Sequence, residues 1–233
     1  MELSKRLQAV ADLISPGMTV ADVGTDHGYI PIYLLESKKS TKALAMDVNE
    51  GPLLRAKEHI KEHGLENFIE TRQSDGVRNL QVGECDSVVI AGMGGALITK
   101  ILEEGQEVFR TLKEFVLQPQ SELHKVRQYL CEHDYSVIAE DMVLEDGKFY
   151  LMMKVVNCSD SEYSEEELYY GRLLLQEQHP ILKTFLKKEF GVKEAILENL
   201  HQESGAHIEA RKRQIESEME RIRYALQRYY EVD

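Results

Sequence analysis

A short apolar run near the start of the chain leads directly into a glycine-containing turn that carries acidic and aromatic side chains. Residues 20–29 read VADVGTDHGY, with Gly24 and Gly28 inside the turn. Glycine lets a backbone approach a ligand closely. In an open α/β sheet, ligands bind beyond the carboxyl ends of the strands. The spacing departs from the GxGxxG dinucleotide fingerprint, so this segment alone also fits a purely structural turn.

Acidic side chains recur at the ends of the first three predicted strands. Asp22 lies at the first turn, Asp47 ends the second strand and Asp75 follows the third. A carboxylate about 20 residues after a glycine turn can accept hydrogen bonds from both ribose hydroxyls, and Asp75 can accept from an adenine amino group. Each acid alone is equally explained as a helix cap or surface residue. Their joint placement favours a nucleotide-like cofactor.

The first two thirds of the chain alternate short apolar runs with longer amphipathic segments, which predicts a parallel sheet flanked by helices. Parallel neighbours need crossover connections, so the order specifies a doubly wound α/β domain. Two later runs, separated by Asp146-Gly147, predict an antiparallel hairpin at the end of the sheet. The predicted strands are residues 19–23, 43–47, 68–73, 87–91, 114–118, 136–143 and 150–156, and the predicted helices are 30–36, 52–63, 96–109 and 121–133.

A composition change at residues 158–167, an acidic stretch without basic residues, predicts a linker and a boundary between domains 1–158 and 159–233. Beyond it the chain is rich in Leu, Lys and Glu and is predicted to be helical. Pro180 and Gly191 are the expected helix breaks. The seven-residue spacing of Ile208, Ile215, Ile222 and Tyr229 predicts a coiled-coil-like final helix, which packs on another helix of this chain or of a second copy.

Composition limits the function classes. No apolar run approaches the roughly 20 residues that cross a bilayer, and the amino-terminal segment lacks a signal-peptide pattern, so we expect a cytoplasmic protein without a membrane partner. The three cysteines form no pair or zinc motif, and no metal is predicted. The net charge of −13 argues against nonspecific coating of nucleic acid by the whole surface, because phosphate binding needs clustered Lys and Arg.

These motifs carry a family resemblance. VADVGTDHGY, ALAMDVN and QSDG occur in the order typical of class I S-adenosylmethionine-dependent methyltransferases. TDHGYIP, AGMGG, LQPQ and the helical extension resemble more narrowly the bacterial tRNA methyltransferases that form N1-methyladenosine at position 22. The resemblance spans essentially the whole chain. It implies a Rossmann-like methyltransferase sheet with a helical carboxyl-terminal domain, S-adenosylmethionine as cofactor and tRNA as substrate.

The resemblance also implies roles for individual residues. The glycine turn would surround the methionine part of the cofactor, Asp47 would hold the ribose, and Asp75 with Gly76 the adenine. The full implied cofactor set is Asp22, Gly24, Thr25, Asp26, His27, Gly28, Asp47, Val48, Asp75, Gly76 and Ala91.

The fourth strand ends in AGMGG, not in the DPPY or NPPY segment of exocyclic-amine methyltransferases. Adenine N1 has an in-plane lone pair, so orientation opposite the sulfonium methyl would supply most of the catalysis. Gly92, Met93 and Gly94 are predicted to line the target pocket, or to form a plain strand-to-helix turn.

Three polar side chains are candidates for direct catalysis: Asp26, His27 and Tyr29. Histidine can transfer protons near neutral pH, but a lone histidine is more often a structural hydrogen-bonding residue. Tyr29 could stack on the incoming base or pack under the first helix of the sheet.

Basic residues in the tail are grouped although the tail as a whole is acidic. They could contact RNA phosphates, or lie on a solvated helix face with paired charges. The predicted RNA-binding residues are Lys183, Lys187, Lys188, Arg211, Lys212 and Arg213. The leading hypothesis is a tRNA (adenine-N1)-methyltransferase. The alternatives are a methyltransferase for another RNA or a small molecule, and a noncatalytic nucleotide-binding or coiled-coil adaptor.

Overall fold

The computed structural model of the chain describes residues 1–159, 162–201 and 205–230. The chain forms two compact units, Met1–Glu162 and Tyr163–Asp233. The predicted boundary lies between residues 158 and 159, and residues 160 and 161 of the predicted linker lie outside the described residues. The separate functions that the sequence assigns to the two parts stay predictions.

A seven-stranded sheet forms the centre of the first unit, in the order β3-β2-β1-β4-β5-β7-β6. The strands β1 to β5 are parallel, and β7 runs antiparallel to both β5 and β6. The predicted doubly wound α/β fold with a terminal hairpin is confirmed. The strands are β1 Met18–Val23, β2 Ser40–Asp47, β3 Ile69–Gln73, β4 Ser87–Met93, β5 Glu114–Pro119, β6 Tyr135–Glu145 and β7 Lys148–Asn157.

Helices cover the sheet, because its central strands are apolar on both faces. Val88, Val89 and Ile90 of β4 are all fully buried. An amino-terminal helix packs its Val10 and Ile14 into one core cluster with residues of β1, β4, β5 and β7. The helices of this unit are α1 Lys5–Leu13, α2 Tyr29–Glu36, α3 Glu50–Glu62, α4 Gly95–Glu104, α5 Gln106–Phe109 and α6 Leu123–Glu132.

The hairpin turn between β6 and β7 has the conformation that its sequence predicts. Asp146 and Gly147 both have positive φ, at 49° and 75°, as a two-residue type I′ turn requires. Glu145, at the end of β6, accepts hydrogen bonds from the backbone N–H groups of Lys5 (2.6 Å) and Arg6 (3.3 Å). The hairpin therefore holds the free N–H groups at the start of α1.

Two details of the predicted helices are wrong. The single helix predicted over residues 96–109 is divided at Gly105, where a Cβ atom would lie 2.3 Å from Cγ2 of Val77. The break predicted at Gly191 does not occur. One helix, α9 (Pro180–Leu200), continues through this exposed position. A glycine inside a helix costs only about 1 kcal/mol relative to alanine, which neighbouring turns can offset. Pro180 does mark a helix start, at the first turn of α9.

The second unit is helical in its described part, as the sequence predicts. Ser164 caps α7 with a reciprocal capping box to Glu167. Ile208, Ile215 and Ile222 of α10 are buried, and α10 packs along α9. The helices are α7 Glu165–Tyr170, α8 Arg172–Gln176, α9 Pro180–Leu200 and α10 Ala206–Tyr229. In the described parts of both units, no helix is long and apolar enough to span a membrane.

Candidate functional site

The carboxyl ends of β1, β2 and β3 are joined by backbone hydrogen bonds. The N–H groups of Gly24 and Thr25 both donate to the carbonyl of Met46 at 2.8 Å, and the N–H of Ser74 donates to the carbonyl of Asp47 at 2.9 Å. The β1 strand lies between β2 and β4, which is the point where crossover connections diverge in opposite directions. The three predicted acidic turns therefore meet at one edge of the sheet.

A cavity of about 310 Å3 opens at this edge, a volume at the lower end of the range for small-molecule sites. Six of the predicted site residues line it together with four residues that had no predicted role. The predicted ones are Asp22, Gly24, Asp26, Tyr29, Ala91 and Gly92, and the others are Arg6, Leu7, Ile30 and Gln120.

Asp22 is the most strongly perturbed carboxyl group of this cavity. It is 6% exposed, and burial raises its pKa from 3.8 to about 6. The Thr25 hydroxyl lowers this pKa, although it forms no hydrogen bond of standard geometry, and the charge of Asp47 raises it. A buried carboxylate that gains from a nearby positive charge is suited to a cationic ligand.

Two glycines form parts of the cavity wall where a side chain would interfere. Gly24 has a φ of +78°, and a Cβ atom there would lie 2.1 Å from the Met93 methyl carbon. Gly92 has a φ of +83° and lies where the register between β4 and β5 shifts, between Ala91 and Met93. Both positions therefore favour glycine: at Gly24 the Met93 methyl group fills the side-chain space, and at Gly92 the positive φ disfavours a side chain.

Three aromatic rings stack beside the cavity. The ring of His27 lies 5.2 Å from that of Tyr29 and 5.0 Å from that of His59. His59 Nδ1 also lies 3.1 Å from the carbonyl oxygen of His27, a residue held at a φ of 63°. Tyr29 is 36% exposed and lines the cavity. The stack thus presents one aromatic surface, that of Tyr29, to a ligand.

Asp26 is held by a cation from the neighbouring helix. Arg55 of α3 donates two hydrogen bonds to Asp26 Oδ1, from Nη2 at 2.8 Å and Nε at 3.2 Å. His27 Nε2 lies 3.5 Å from the same oxygen. Among the described residues, the buried His27 Nδ1 has no hydrogen-bond partner. Asp26 is thus paired with Arg55 and lies near His27 while it also lines the cavity.

Asp47 and Asp75, the acids at the ends of β2 and β3, are more exposed than Asp22. Asp47 is half-buried and accepts from the N–H of Asn49 at 2.7 Å through Oδ1. Asp75 is exposed and pairs with Arg78 at 3.1 Å. Val48 and Gly76, beside these acids, are exposed and half-buried respectively. Asp47, Asp75 and their neighbours do not line the cavity described above, but they lie along the same edge of the sheet.

The remaining predicted site residues fall into two groups. Thr25 and Gly28 belong to the turn before α2, and Met93 with Gly94 connects β4 to α4. In the part of the chain that the structure describes, no group of three His, Cys, Asp or Glu side chains is arranged to hold a metal ion.

The predicted RNA-binding residues lie in two clusters on antiparallel helices. Contacts between Lys193 and Glu218 and between Arg223 and Phe190 set the register of α9 against α10. At 1.5 Å per residue, this register places Lys187 and Arg211 about 20 Å apart along the helix pair. Lys187, Lys188, Arg211 and Arg213 are exposed, Lys183 and Lys212 are half-buried, and Lys212 pairs with Glu209 at 2.8 Å.

Sequence reasoning missed the contribution of α1. Arg6 Nη1 donates to Gln118 Oε1 at 3.0 Å, and its guanidinium carbon lies 5.6 Å from the centre of the Tyr150 ring. Nothing in the local sequence around Arg6 indicates a ligand site. Gln118 and Gln120 did carry a signal, as part of the LQPQ segment, but their residue types alone do not specify a role.

Known proteins match the chain over most of its length. The sequence model of the TrmK family, described as tRNA (adenine(22)-N(1))-methyltransferase, matches residues 20–224. The chain belongs to this family. The tRNA (adenine(22)-N(1))-methyltransferase of Bacillus subtilis is 38% identical over 193 residues, which are 81% of this chain and 80% of the relative.

Solved structures of two proteins described as a tRNA (m1A22) methyltransferase and as TrmK superpose closely on this chain. A Streptococcus pneumoniae protein, described as a putative tRNA (m1A22) methyltransferase in complex with S-adenosyl-L-methionine, superposes with a TM-score of 0.87 at 31% identity, and the alignment covers 97% of this chain and all of the other. TrmK of M. capricolum in complex with S-adenosyl-homocysteine gives a TM-score of 0.85 at 26% identity, covering 97% of this chain and 99% of the other.

Proposed function

We propose that this TrmK-family chain transfers the methyl group of S-adenosylmethionine to N1 of adenine 22 in tRNA, in the cytoplasm. The observation that carries the proposal is the cavity at the ends of β1 and β4, which combines a buried carboxyl group, two side-chain-free walls and an aromatic surface. The match of the family model over residues 20–224 supports the assignment of the reaction.

The residues of the site fit this cofactor in their chemistry. When bound, S-adenosylmethionine would supply a sulfonium methyl group whose carbon a nucleophile can attack, with S-adenosylhomocysteine as the leaving group. Asp22, fully inside the protein, offers a carboxyl group whose charged form a positive ligand would stabilise. Gly24 permits the positive φ of the turn at the cavity wall, and the half-buried Asp47 offers a carboxylate for the ribose. The other predicted cofactor residues remain candidates on the strength of their position along the same edge.

Adenine N1 needs no base for this reaction, because its lone pair lies in the ring plane and is free in the neutral base. The protein's task is therefore to hold the ring with N1 facing the methyl group. We assign the contact with the base to Tyr29, whose exposed ring can stack on it. His27 and His59 support Tyr29 from behind through their ring contacts. We assign no proton transfer to Asp26 or His27, since Asp26 is engaged by Arg55.

Binding of the tRNA body is assigned to the second unit. Its two exposed basic clusters are about 20 Å apart along the helices, so each would contact a different stretch of phosphates. Self-association through α10, a further prediction, would have to use a face other than the heptad positions. Ile208, Ile215 and Ile222 are already buried within the described chain.

Primer extension on total tRNA from cells with and without this protein tests the function. N1-methylation blocks the Watson–Crick edge of adenine, so reverse transcriptase stops at a modified position 22. The stop should disappear in deletion cells and return on expression of the intact chain. A stop that persists in the deletion cells refutes the tRNA assignment. Mass spectrometry of nucleosides after incubation with labelled cofactor would then identify another acceptor, and no labelled product would favour an adaptor.

A further inference from the structure

The LQPQ segment, residues 117–120, closes β5 beside the cavity and has no role in the function proposed above. Gln118 is fully buried. Its Oε1 accepts from Arg6 Nη1 at 3.0 Å, and its Nε2 donates to the carbonyl of Pro119 at 3.3 Å. Both ends of the Gln118 amide are therefore used inside the protein, where they fix the Arg6 guanidinium at the cavity wall.

Gln120, two positions later, has the opposite environment. Its residue is exposed and its side chain lines the cavity. Its backbone N–H donates to the carbonyl of Met93 at 2.9 Å, which anchors the residue to the end of β4. Among the described residues, no hydrogen bond engages the Gln120 amide. An anchored backbone with a side-chain amide available in a cavity is suited to hydrogen bonding with a ligand.

The backbone of Gly92 lies beside this amide. A Cβ atom at Gly92 would lie 3.7 Å from Gln120 Nε2 and 3.6 Å from Arg6 Nη1. Because Gly92 has no side chain, both nitrogen atoms face a flat stretch of backbone. Tyr29 and Gln120 line the same cavity, so a planar ring that stacks on Tyr29 would share this cavity with the Gln120 amide.

We propose that Gln120 selects adenine as the acceptor base by pairing its amide with N6 and N7 of the target ring. This inference rests on the proposed function and deepens it. The amide oxygen accepts from the N6 amino group while the amide NH2 donates to N7, the pairing by which Gln recognises adenine elsewhere. N1 stays free on the other side of N6. Guanine presents acceptors at both O6 and N7, so it would leave the amide oxygen facing another acceptor.

Methyl transfer to tRNA with a single altered atom tests this pairing. We would measure kcat/KM for the full chain on tRNA carrying adenosine or 7-deazaadenosine at position 22, since the second base lacks the N7 acceptor. The wild-type protein should lose about tenfold on 7-deazaadenosine. Gln120→Leu should lose about tenfold on adenosine and show no further loss on 7-deazaadenosine. Comparing two enzymes on the same bases cancels any intrinsic effect of the altered ring on N1.

Further variants separate this role from a structural one. Gln120→Leu should keep the wild-type affinity for S-adenosylmethionine, and Gln120→Glu should stay sensitive to the N6 amino group while losing the response to N7. Gln81→Leu, at an exposed site before β4, is the matched control and should behave as wild type on both substrates.

Two results would overturn the proposal. If Gln120→Leu still responds to N7, the Arg6 guanidinium reads that edge instead. If the wild-type protein is indifferent to N7, no group reads it. Failure of the wild-type protein to methylate unmodified tRNA is a different result, which refutes the proposed function and the role of Gln120 with it.

Discussion

Replacing Asp22 by Asn should stabilise the cofactor-free protein at neutral pH. Burial raises the pKa of Asp22 from 3.8 to about 6, so between these values the folded protein keeps a proton that the unfolded chain releases. The free energy of unfolding therefore falls as pH rises through this window and stays lower above it. A difference of about two pKa units corresponds to about 3 kcal/mol. Asn is neutral at every pH, so its presence at position 22 does not lower the free energy of unfolding as pH rises.

The assay is urea unfolding of both proteins from pH 4 to pH 8, with the difference between their unfolding free energies plotted against pH. Other groups near Asp22, namely Asp26, Asp47 and Arg6, are present in both proteins and largely cancel in this difference. The variant should match wild type near pH 4 and exceed it by up to about 3 kcal/mol at pH 8. A difference that does not change with pH would show that Asp22 titrates normally, and the reasoning from burial would be wrong.

The same substitution should weaken cofactor binding, since a positive ligand favours the charged carboxylate. Wild-type affinity for S-adenosylmethionine should fall as pH drops below about 6, by up to about tenfold per pH unit. The affinity of Asp22→Asn should be lower at pH 8 and lose this dependence. Isothermal titration calorimetry at four pH values measures both effects. Equal pH dependence in the two proteins would remove Asp22 from the cofactor site.

Three further predictions concern other parts of the chain. Asp47→Ala should weaken S-adenosylmethionine binding by about tenfold, because the ribose hydroxyls lose an acceptor; calorimetry on a variant with unchanged circular dichroism measures it, and wild-type affinity would contradict the assignment. Changing the exposed members of the two basic clusters to Gln should reduce the slope of log affinity for tRNA against log salt, by up to about 0.9 per lost phosphate contact. The control is the double variant Lys42→Gln with Lys113→Gln, at the amino ends of β2 and β5. An equal slope in the wild-type protein, the cluster variant and this control would show that the clusters do not contact phosphates. Glu140→Leu should lower the free energy of unfolding by about 3 to 5 kcal/mol, because it removes the carboxylate that is bonded at 2.8 Å to the fully buried guanidinium of Arg127. Urea unfolding checks this, with Arg127→Met added to Glu140→Leu expected to restore most of the loss.

Periodicity and turn chemistry were sufficient to predict the parallel sheet and the hairpin, because both depend on local rules. Alternating strand and helix patterns specify crossovers, and Asp146-Gly147 specifies its own turn. The division at Gly105 could not be predicted in the same way. Gly105 lies close to Val77, a residue distant along the chain, and a local sequence pattern does not reveal such a contact.

The candidate site shows the same limit. Its acids could be predicted because each lies at or just after the end of a strand, and parallel strand ends meet at one edge. Arg6 could not, since its place in the cavity depends on a hydrogen bond to Gln118 across 112 positions. The pairing of Asp26 with Arg55 likewise depends on how α3 packs, so sequence alone did not predict this contact.

The bonds from Glu145 to the start of α1 have a consequence for biosynthesis. They join positions 140 residues apart, and the apolar side of α1, including Val10 and Ile14, packs in a cluster with Val116 and Met152. At ribosomal rates of about 5 to 20 residues per second, the partners of α1 follow it by roughly 7 to 28 seconds. The packing of α1 therefore cannot be completed until β5, β6 and β7 have been made, although Val20 of β1 and Val89 of β4 are available to its apolar side before them.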